Sequence, residues 1–441
     1  LRRPPIDLRG RLLPFAERWR DAVLAAAVVG FSVGLIVAGC QRLTLDVLLD
    51  RVRDLPLWVV LAAPAAGLVL CAATLRGLAG GASPGISDAY IESFHDPRHD
   101  LPVRDAPGRT LASVLTLGFG GALGLEGLAL YVGSSVGTAA QQRLRRLFRP
   151  SDTKVLLVAG AAAGLAAVFK APATGAVFAL EVPYWDDLAR RKLVPALVGA
   201  ATGYLGYVAV NGTAPIFPVE GAPHLDATAI VGSLVLGVVA GVGARMFARL
   251  LQHAKRFERR RPLAVRLPLA GVSLALLVGA GRMLTDETLV LGPGYDALRW
   301  ALEPGHGTWI LLALLALRCL ATAATLAGGG AGGLFIPLVV AGALLGRAAG
   351  VAVGQPADEA LFLVVGVAAF LGAGYRVPLA AVMFVAESTG RATFVVPGLL
   401  AAVAAYLVMG NASVADGQIA TGGTTRPGGA GPPDGTGAPA T

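Results

Sequence analysis

The chain is 441 residues long, 55% hydrophobic and only 15% charged, with 59 glycines and a mean hydropathy of +0.66. A soluble domain carries roughly 25% charged residues, so this chain lacks the polar side chains to cover a water-facing surface. Its net charge of +9 does not point to nucleic acid, because the basic residues form short clusters between apolar runs and no reading motif accompanies them.

Read from its start, the chain opens on a basic segment, 1–20, beginning "LRRPPIDLRGR". The apolar run that follows, 22–40, is too long for the core of a secretory leader, and no small-residue cleavage site follows it. Further runs lie at 55–75, 193–210, 227–242, 309–317 and 360–374. Several approach the roughly 20 residues that cross a bilayer, which predicts an all-α polytopic membrane protein. Basic clusters at 143–149, 189–192 and 255–266 alternate with a stretch at 211–227 that has no Lys or Arg and an acidic stretch at 285–305. That alternation places the N-terminus in the cytoplasm.

Cys40, Cys71 and Cys319 lie in or beside apolar segments without metal-ligand spacing, and read as structural thiols. His95 and His99 are four apart, but Pro97 between them points to a solvated loop rather than a metal site. His224, His253 and His306 are loop-like or near span ends. The Gly/Pro/Thr-rich tail 421–441 cannot bury a core and is expected to be disordered. Neither a metal, a cofactor nor a soluble regulatory domain is expected.

Two stretches match each other. "KAPATGAVFALE" (170–181) and "RVPLAAVMFVAE" (376–387) both carry Phe six residues after the proline and Glu nine after it. Upstream, "GFGGALGLEG" (118–127) and "GGGAGGLFIP" (328–337) stand at the same distance, with Gly127 and Gly333 each 45 residues before the matched proline. The membrane domain, 21–420, therefore reads as two homologous halves, about 21–212 and 225–420. Paired breaks in hydrophobic helices point to a binding site at the bilayer midplane. Irregular backbone persists there only inside protein or along a polar cavity. A helix that starts inside the membrane offers free N–H groups and a positive dipole end, which suits an anion. Tight helix packing is the competing explanation for the glycines.

Glu126 is the sole charge between Arg109 and Arg143. A charged carboxylate in apolar surroundings costs roughly 2.5–3.5 kcal/mol on insertion scales, so a bare structural role is a poor account of it. Glu181 and Glu387 share a repeat position, which favours a common architectural role at a helix end.

These motifs resemble the CLC family of chloride channels and proton-coupled anion exchangers, across nearly the whole membrane domain. "GLEGLALYVG" (124–133) is similar to the family's Gly-x-Glu-Gly-Pro segment and "GLFIP" (333–337) to its Gly-x-Phe-x-Pro segment. "AGAAAGLAAVFKAPATGAVFALE" (159–181) is similar over its full length. The resemblance implies a homodimer with one pathway per subunit, built from two inverted-topology repeats whose broken helices meet at a midplane anion site. Carried over, the anion-binding backbone comprises Leu125, Glu126 and Gly127, together with Leu334, Phe335 and Ile336. Glu126 matches the family's gating glutamate, a tethered anion that blocks the site until protonation removes its charge.

The chain departs from the family in several places. "SPGIS" (83–87) only partly matches the family's Gly-Ser-Gly-Ile-Pro segment. Aligned there, Pro84, Gly85 and Ile86 flank the site, and the coordinating serine becomes Pro84, which has neither hydroxyl nor N–H. The family's second hydroxyl donor, a tyrosine, falls at Val414, while Tyr406 lies about two turns upstream. Central binding is then expected to rest on backbone N–H groups and to be weak. Val182 stands where exchangers commonly carry an internal glutamate, and Lys170 replaces a neutral residue near the path. Leu128 replaces the proline that follows Gly127.

The sequence therefore predicts transport of chloride or a similar monovalent anion through a glutamate-gated pathway, passive or weakly proton-coupled. The alternative is a proton-coupled exchanger of chloride or nitrate. An intramembrane enzyme using Glu126 as base lacks a partner nucleophile or metal cluster. The expected partners are a small anion, protons, membrane lipid and a second copy of the chain, in a bacterial inner membrane.

Overall fold

The computed structural model describes residues 8–96, 101–147, 154–214, 226–354 and 356–420. The 421–441 tail, Pro97, His99, His224 and most of the 211–227 stretch lie outside the described residues. A first series of helices comprises α1 (Leu8–Arg42), which passes through a π-helical stretch into α2 (Asp50–Arg53), then α3 (Leu57–Leu78), α4 (Ile86–His95), α5 (Ala106–Gly118), α6 (Glu126–Arg143), α7 (Val155–Phe169), α8 (Pro172–Glu181) and α9 (Leu193–Asn211). A second series comprises α10 (Ala227–Arg260), α11 (Leu263–Thr285), α12 (Tyr295–Leu302), α13 (Thr308–Ala327), α14 (Phe335–Val353), α15 (Pro356–Tyr375), α16 (Pro378–Thr389) and α17 (Val395–Met409).

Among the described residues, eight helical stretches are long and apolar enough to cross a membrane. The protein is an integral membrane protein. Three of these spans, α11, α14 and the one that ends in α17, are not among the apolar runs read from the sequence. Arg266 and Pro268 interrupt the first run, and Arg347 interrupts the second. Arg347 is buried in an ion pair with Glu359 at 2.6 Å and also donates to the Glu303 carbonyl at 3.1 Å. The basic cluster that begins at Lys255 is also largely helical, because α10 runs on to Arg260.

The two series pack by the same plan. α6 lies on α7 as α14 lies on α15, and α1 lies on α9 as α10 lies on α17. Glycines let these backbones touch. A Cβ added to Gly133 or Gly160 would stand 2.0 Å from the other's carbonyl oxygen, and Gly342 and Gly366 repeat that contact at 2.4 and 2.3 Å. Such approaches exclude any larger residue and give the close van der Waals packing that holds helices together in lipid.

The repeats are inverted. Gly124 and Gly333 exchange N–H···O bonds of 2.8 Å each in an isolated antiparallel bridge. An antiparallel bridge has a two-fold axis through its centre, so the segments leading from it into α6 and α14 run in opposite directions. Threonines from the preceding helices cross the axis to support the loops. Thr325 Oγ1 accepts the Ala122 N–H at 3.1 Å, and Thr116 Oγ1 accepts the Ala331 N–H at 3.2 Å.

Candidate functional site

Glu126 is the first residue of α6, and its side chain points across the axis to the start of α14. It is 2% exposed. Its Oε1 accepts the N–H of Phe335 and, at 3.3 Å, that of Ile336. Both donors belong to the first turn of a 19-residue helix, whose N–H groups have no intrahelical partner and carry the positive end of the dipole. Glu126 Oε2 is buried without a hydrogen-bond partner.

The seat is made by the bridge glycines. A Cβ on Gly124 would lie 1.9 Å from Glu126 Oε2, and one on Gly333 would lie 2.4 Å from Oε1. Phe335 walls the seat with its ring stacked on Phe169, centroids 3.8 Å apart, and edge-on to Phe178 and Phe384. The donors held by Glu126 suit any small anion, and a free anion has to displace the carboxylate to reach them.

Two cavities flank this seat. One, of about 80 Å³, is lined by Pro84, Gly85, Ile86, Leu334, Tyr375 and Val414, with Lys255 among its further lining residues. Lys255 is held by Asp88 at 2.9 Å and Asp416 at 3.3 Å. The other, of about 420 Å³, is lined by Lys170, Tyr207 and Tyr295 among others. Glu126 interacts electrostatically with Tyr375 on the wall of the first and with Tyr295 on the wall of the second.

The structure thus gathers the residues singled out in the sequence. Leu125, Glu126 and Gly127 start α6, Leu334, Phe335 and Ile336 start α14, and Pro84, Gly85 and Ile86 start α4. Besides the Phe335 and Ile336 amides held by Glu126, two more have protein partners: Gly85 N–H donates to Ser83 Oγ at 3.2 Å, and Leu334 N–H to Tyr375 Oη at 3.2 Å. Val414 docks by its N–H on the Gly374 carbonyl at 2.9 Å. Val182 is buried at the end of α8 and its carbonyl accepts from Gln418 at 2.9 Å; neither residue lines either cavity. Lys170 ends α7 with a left-handed φ of 50° and donates to the Ala214 carbonyl at 2.8 Å. His95 is not in a solvated loop: it closes α4, half-buried, with Nε2 2.7 Å from the Pro183 carbonyl. Among the described residues no three His, Cys, Asp or Glu side chains gather as a metal-holding group.

Sequence reading missed Tyr375, whose hydroxyl reaches the cavity only because α15 ends against the start of α14. Arg376, which follows it, is fixed by the Gly410 carbonyl and by Tyr406 Oη at 2.6 Å.

Residues 66–410 match the model of the family described as voltage gated chloride channel. The chain belongs to the voltage-gated chloride channel, or CLC, family. A ClcB-like protein of Ralstonia nicotianae is 30% identical over 382 residues, covering 82% of this chain and 84% of its own length. The H(+)/Cl(-) exchange transporter ClcA of Citrobacter koseri is 28% identical over 426 residues, 91% of this chain and 88% of the relative. Among solved structures, a slow cyanobacterial Cl-/H+ antiporter superposes with a TM-score of 0.76 at 22% identity, over 88% of this chain and 94% of its own. This CLC chain therefore has the fold of two inverted repeats, and serves anion transport rather than enzymatic catalysis.

Proposed function

We propose that this CLC chain carries chloride or a similar monovalent anion across a bacterial inner membrane, with Glu126 as the gate of the pathway. The observation that carries this reading is the Glu126 carboxylate on the Phe335 and Ile336 N–H groups, between two cavities. A tethered anion on an anion site is a competitive plug. Protonation removes the charge that binds it there, and the neutral side chain yields the seat.

In this reading the anion-binding backbone comprises Leu125, Glu126, Gly127, Leu334, Phe335 and Ile336, together with Gly85 and Ile86 beside Pro84. The N-terminus and Lys255 face the cytoplasm, as the placement of basic clusters suggests. The working unit is the membrane domain 21–420, paired as a homodimer.

Passive or weakly proton-coupled movement is the primary reading of the mode, since the apolar Val182 stands where an internal acid would hand on protons. Proton-coupled exchange is the second reading, favoured by the name of the Citrobacter koseri relative, a H(+)/Cl(-) exchange transporter.

The test is reconstitution in liposomes with an outward chloride gradient, recording proton and chloride movement together for wild type and Glu126→Gln. Chloride efflux without proton movement supports a conductive pathway. Gradient-driven proton uptake that disappears in Glu126→Gln establishes the exchanger instead. Absence of chloride and nitrate flux in both proteins overturns anion transport by this pathway.

A further inference from the structure

The cavity beside Pro84 contains, besides the serines of the α4 start, a side-chain hydroxyl from the end of α15. Tyr375 ends α15, is 2% exposed, and its Oη accepts the Leu334 N–H at 3.2 Å. A phenol oxygen that accepts in this way retains its own O–H to donate. Ser87, in the first turn of α4, interacts with the same hydroxyl. Tyr375 Oη therefore stands where the starts of α4 and α14 face one another across the cavity.

The ring is held in that position. Its ring plane lies at 82° to that of Phe178, with centroids 5.3 Å apart, and its carbonyl accepts from Gln418 at 2.9 Å. Val414 sits immediately beside it, bonded through its N–H to Gly374. Of these two adjacent wall positions, one is apolar and the other ends in a hydroxyl.

The repeat supplies an internal control. Lys170 and Arg376 are matched residues with left-handed φ of 50° and 61°, so the residues before them, Phe169 and Tyr375, are equivalent. Both place an aromatic ring against the start of α14. Phe169 stacks on Phe335, whereas Tyr375 meets the Leu334 amide. The hydroxyl is present only on the member that faces the cavity.

We propose that Tyr375 is an anion-binding residue, donating its O–H to a chloride-sized anion held in the cavity beside Ile86 and Leu334. This rests on the anion-transport reading above. The hydroxyl supplies the donor that Pro84 and Val414 lack; Lys255, in the same cavity, is already paired with Asp88 and Asp416. Central binding then combines backbone N–H groups with the Tyr375 hydroxyl.

The experiment is chloride titration of the purified protein by calorimetry, for wild type and Tyr375→Phe, with the unfolding temperature measured on both. Phenylalanine already fills the equivalent position at 169, so the change removes one oxygen and keeps the ring. Chloride affinity is expected to fall about tenfold or more, the order for a lost hydrogen bond to an ion, with a lowered but still cooperative unfolding transition, because the Leu334 N–H loses its acceptor. If wild type binds chloride and Tyr375→Phe binds it equally well, the assignment of Tyr375 fails and anion transport stands. If wild type neither binds nor transports chloride or nitrate, both readings fail. A second measurement needs no variant: anomalous density from bromide-soaked wild-type crystals. A peak within hydrogen-bonding reach of Tyr375 Oη supports the assignment, and bromide in the pathway only elsewhere overturns it.

Discussion

Glu181 and Glu387 each close the start of the other's helix. Glu181, the last residue of α8, accepts the N–H groups of Leu379 at 3.2 Å and Ala380 at 2.9 Å, at the start of α16. Glu387, near the end of α16, accepts those of Ala173 at 2.9 Å and Thr174 at 2.6 Å, at the start of α8, together with the Thr174 hydroxyl at 2.7 Å. Each proline-led helix start receives its missing acceptor from the other repeat.

This exchange predicts a stability role. Glu387→Ala leaves two helix-start amides without an acceptor and should lower stability by about 2–3 kcal/mol, with Glu181→Ala somewhat less. Thermal unfolding in detergent measures both. Lost transport with an unchanged melting curve would show that the carboxylates belong to the pathway instead.

Transport should depend on pH in one direction. A charged Glu126 is held by the Phe335 and Ile336 amides, and protonation abolishes the charge that holds it. Anion flux should therefore rise as pH falls, by up to about tenfold per unit while the group is mostly charged. Glu126→Gln should give high flux with a flat pH profile. A pH response that persists in Glu126→Gln would place the sensor elsewhere.

Gly124→Ala is a sharper probe of the seat. The nearest atoms to its new methyl are the Glu126 carboxyl atoms, at 1.9–2.4 Å, the mobile end of a side chain. The variant should fold, displace the carboxylate and raise flux at neutral pH severalfold. Gly333→Ala differs, because its methyl also meets the Gly127 amide nitrogen at 2.5 Å and forces backbone apart. It should lose stability as well. Liposome flux paired with melting curves separates the two outcomes.

Thr325→Val keeps the side-chain shape but leaves the buried Ala122 N–H without its acceptor. The expected cost is about 1–3 kcal/mol, and Thr116→Val should cost a similar amount through Ala331. Both should also weaken transport, because each loop leads into a helix start that forms the seat. A melting temperature unchanged by either substitution would show that the crossing bonds contribute nothing net.

The repeat was legible because its markers are positional. A proline can begin a helix only where its missing N–H does no harm, and a glutamate nine residues later reaches the opposite helix start. The glycine loops were legible because they stand at a similar distance before those prolines in both halves, although equal spacing pairs Gly127 with Gly333 where the bridge pairs Gly124 with it. The spans α11 and α14 were not, since a window of apolarity is broken by Arg266 and Arg347, whose charges have partners only in the folded protein: Glu258 for one, Glu359 for the other. Tyr375 was illegible for a related reason. Its distance from Leu334 is 41 residues in sequence, and only the folded ends of α15 and α14 bring its hydroxyl to the amide.

The bridge between Gly124 and Gly333 has one more consequence. Counting two residues onward from each glycine reaches Glu126 in one repeat and Phe335 in the other, so the carboxylate and its amide donor are counterparts. A duplicated, inverted frame would by itself yield a channel whose two mouths are interchangeable. An acidic residue on a single side of the dyad breaks that equivalence, so the two sides of the seat differ in charge. Glu126→Phe would restore the likeness of the two sides, and Phe335→Glu alone would set two like charges contesting one seat.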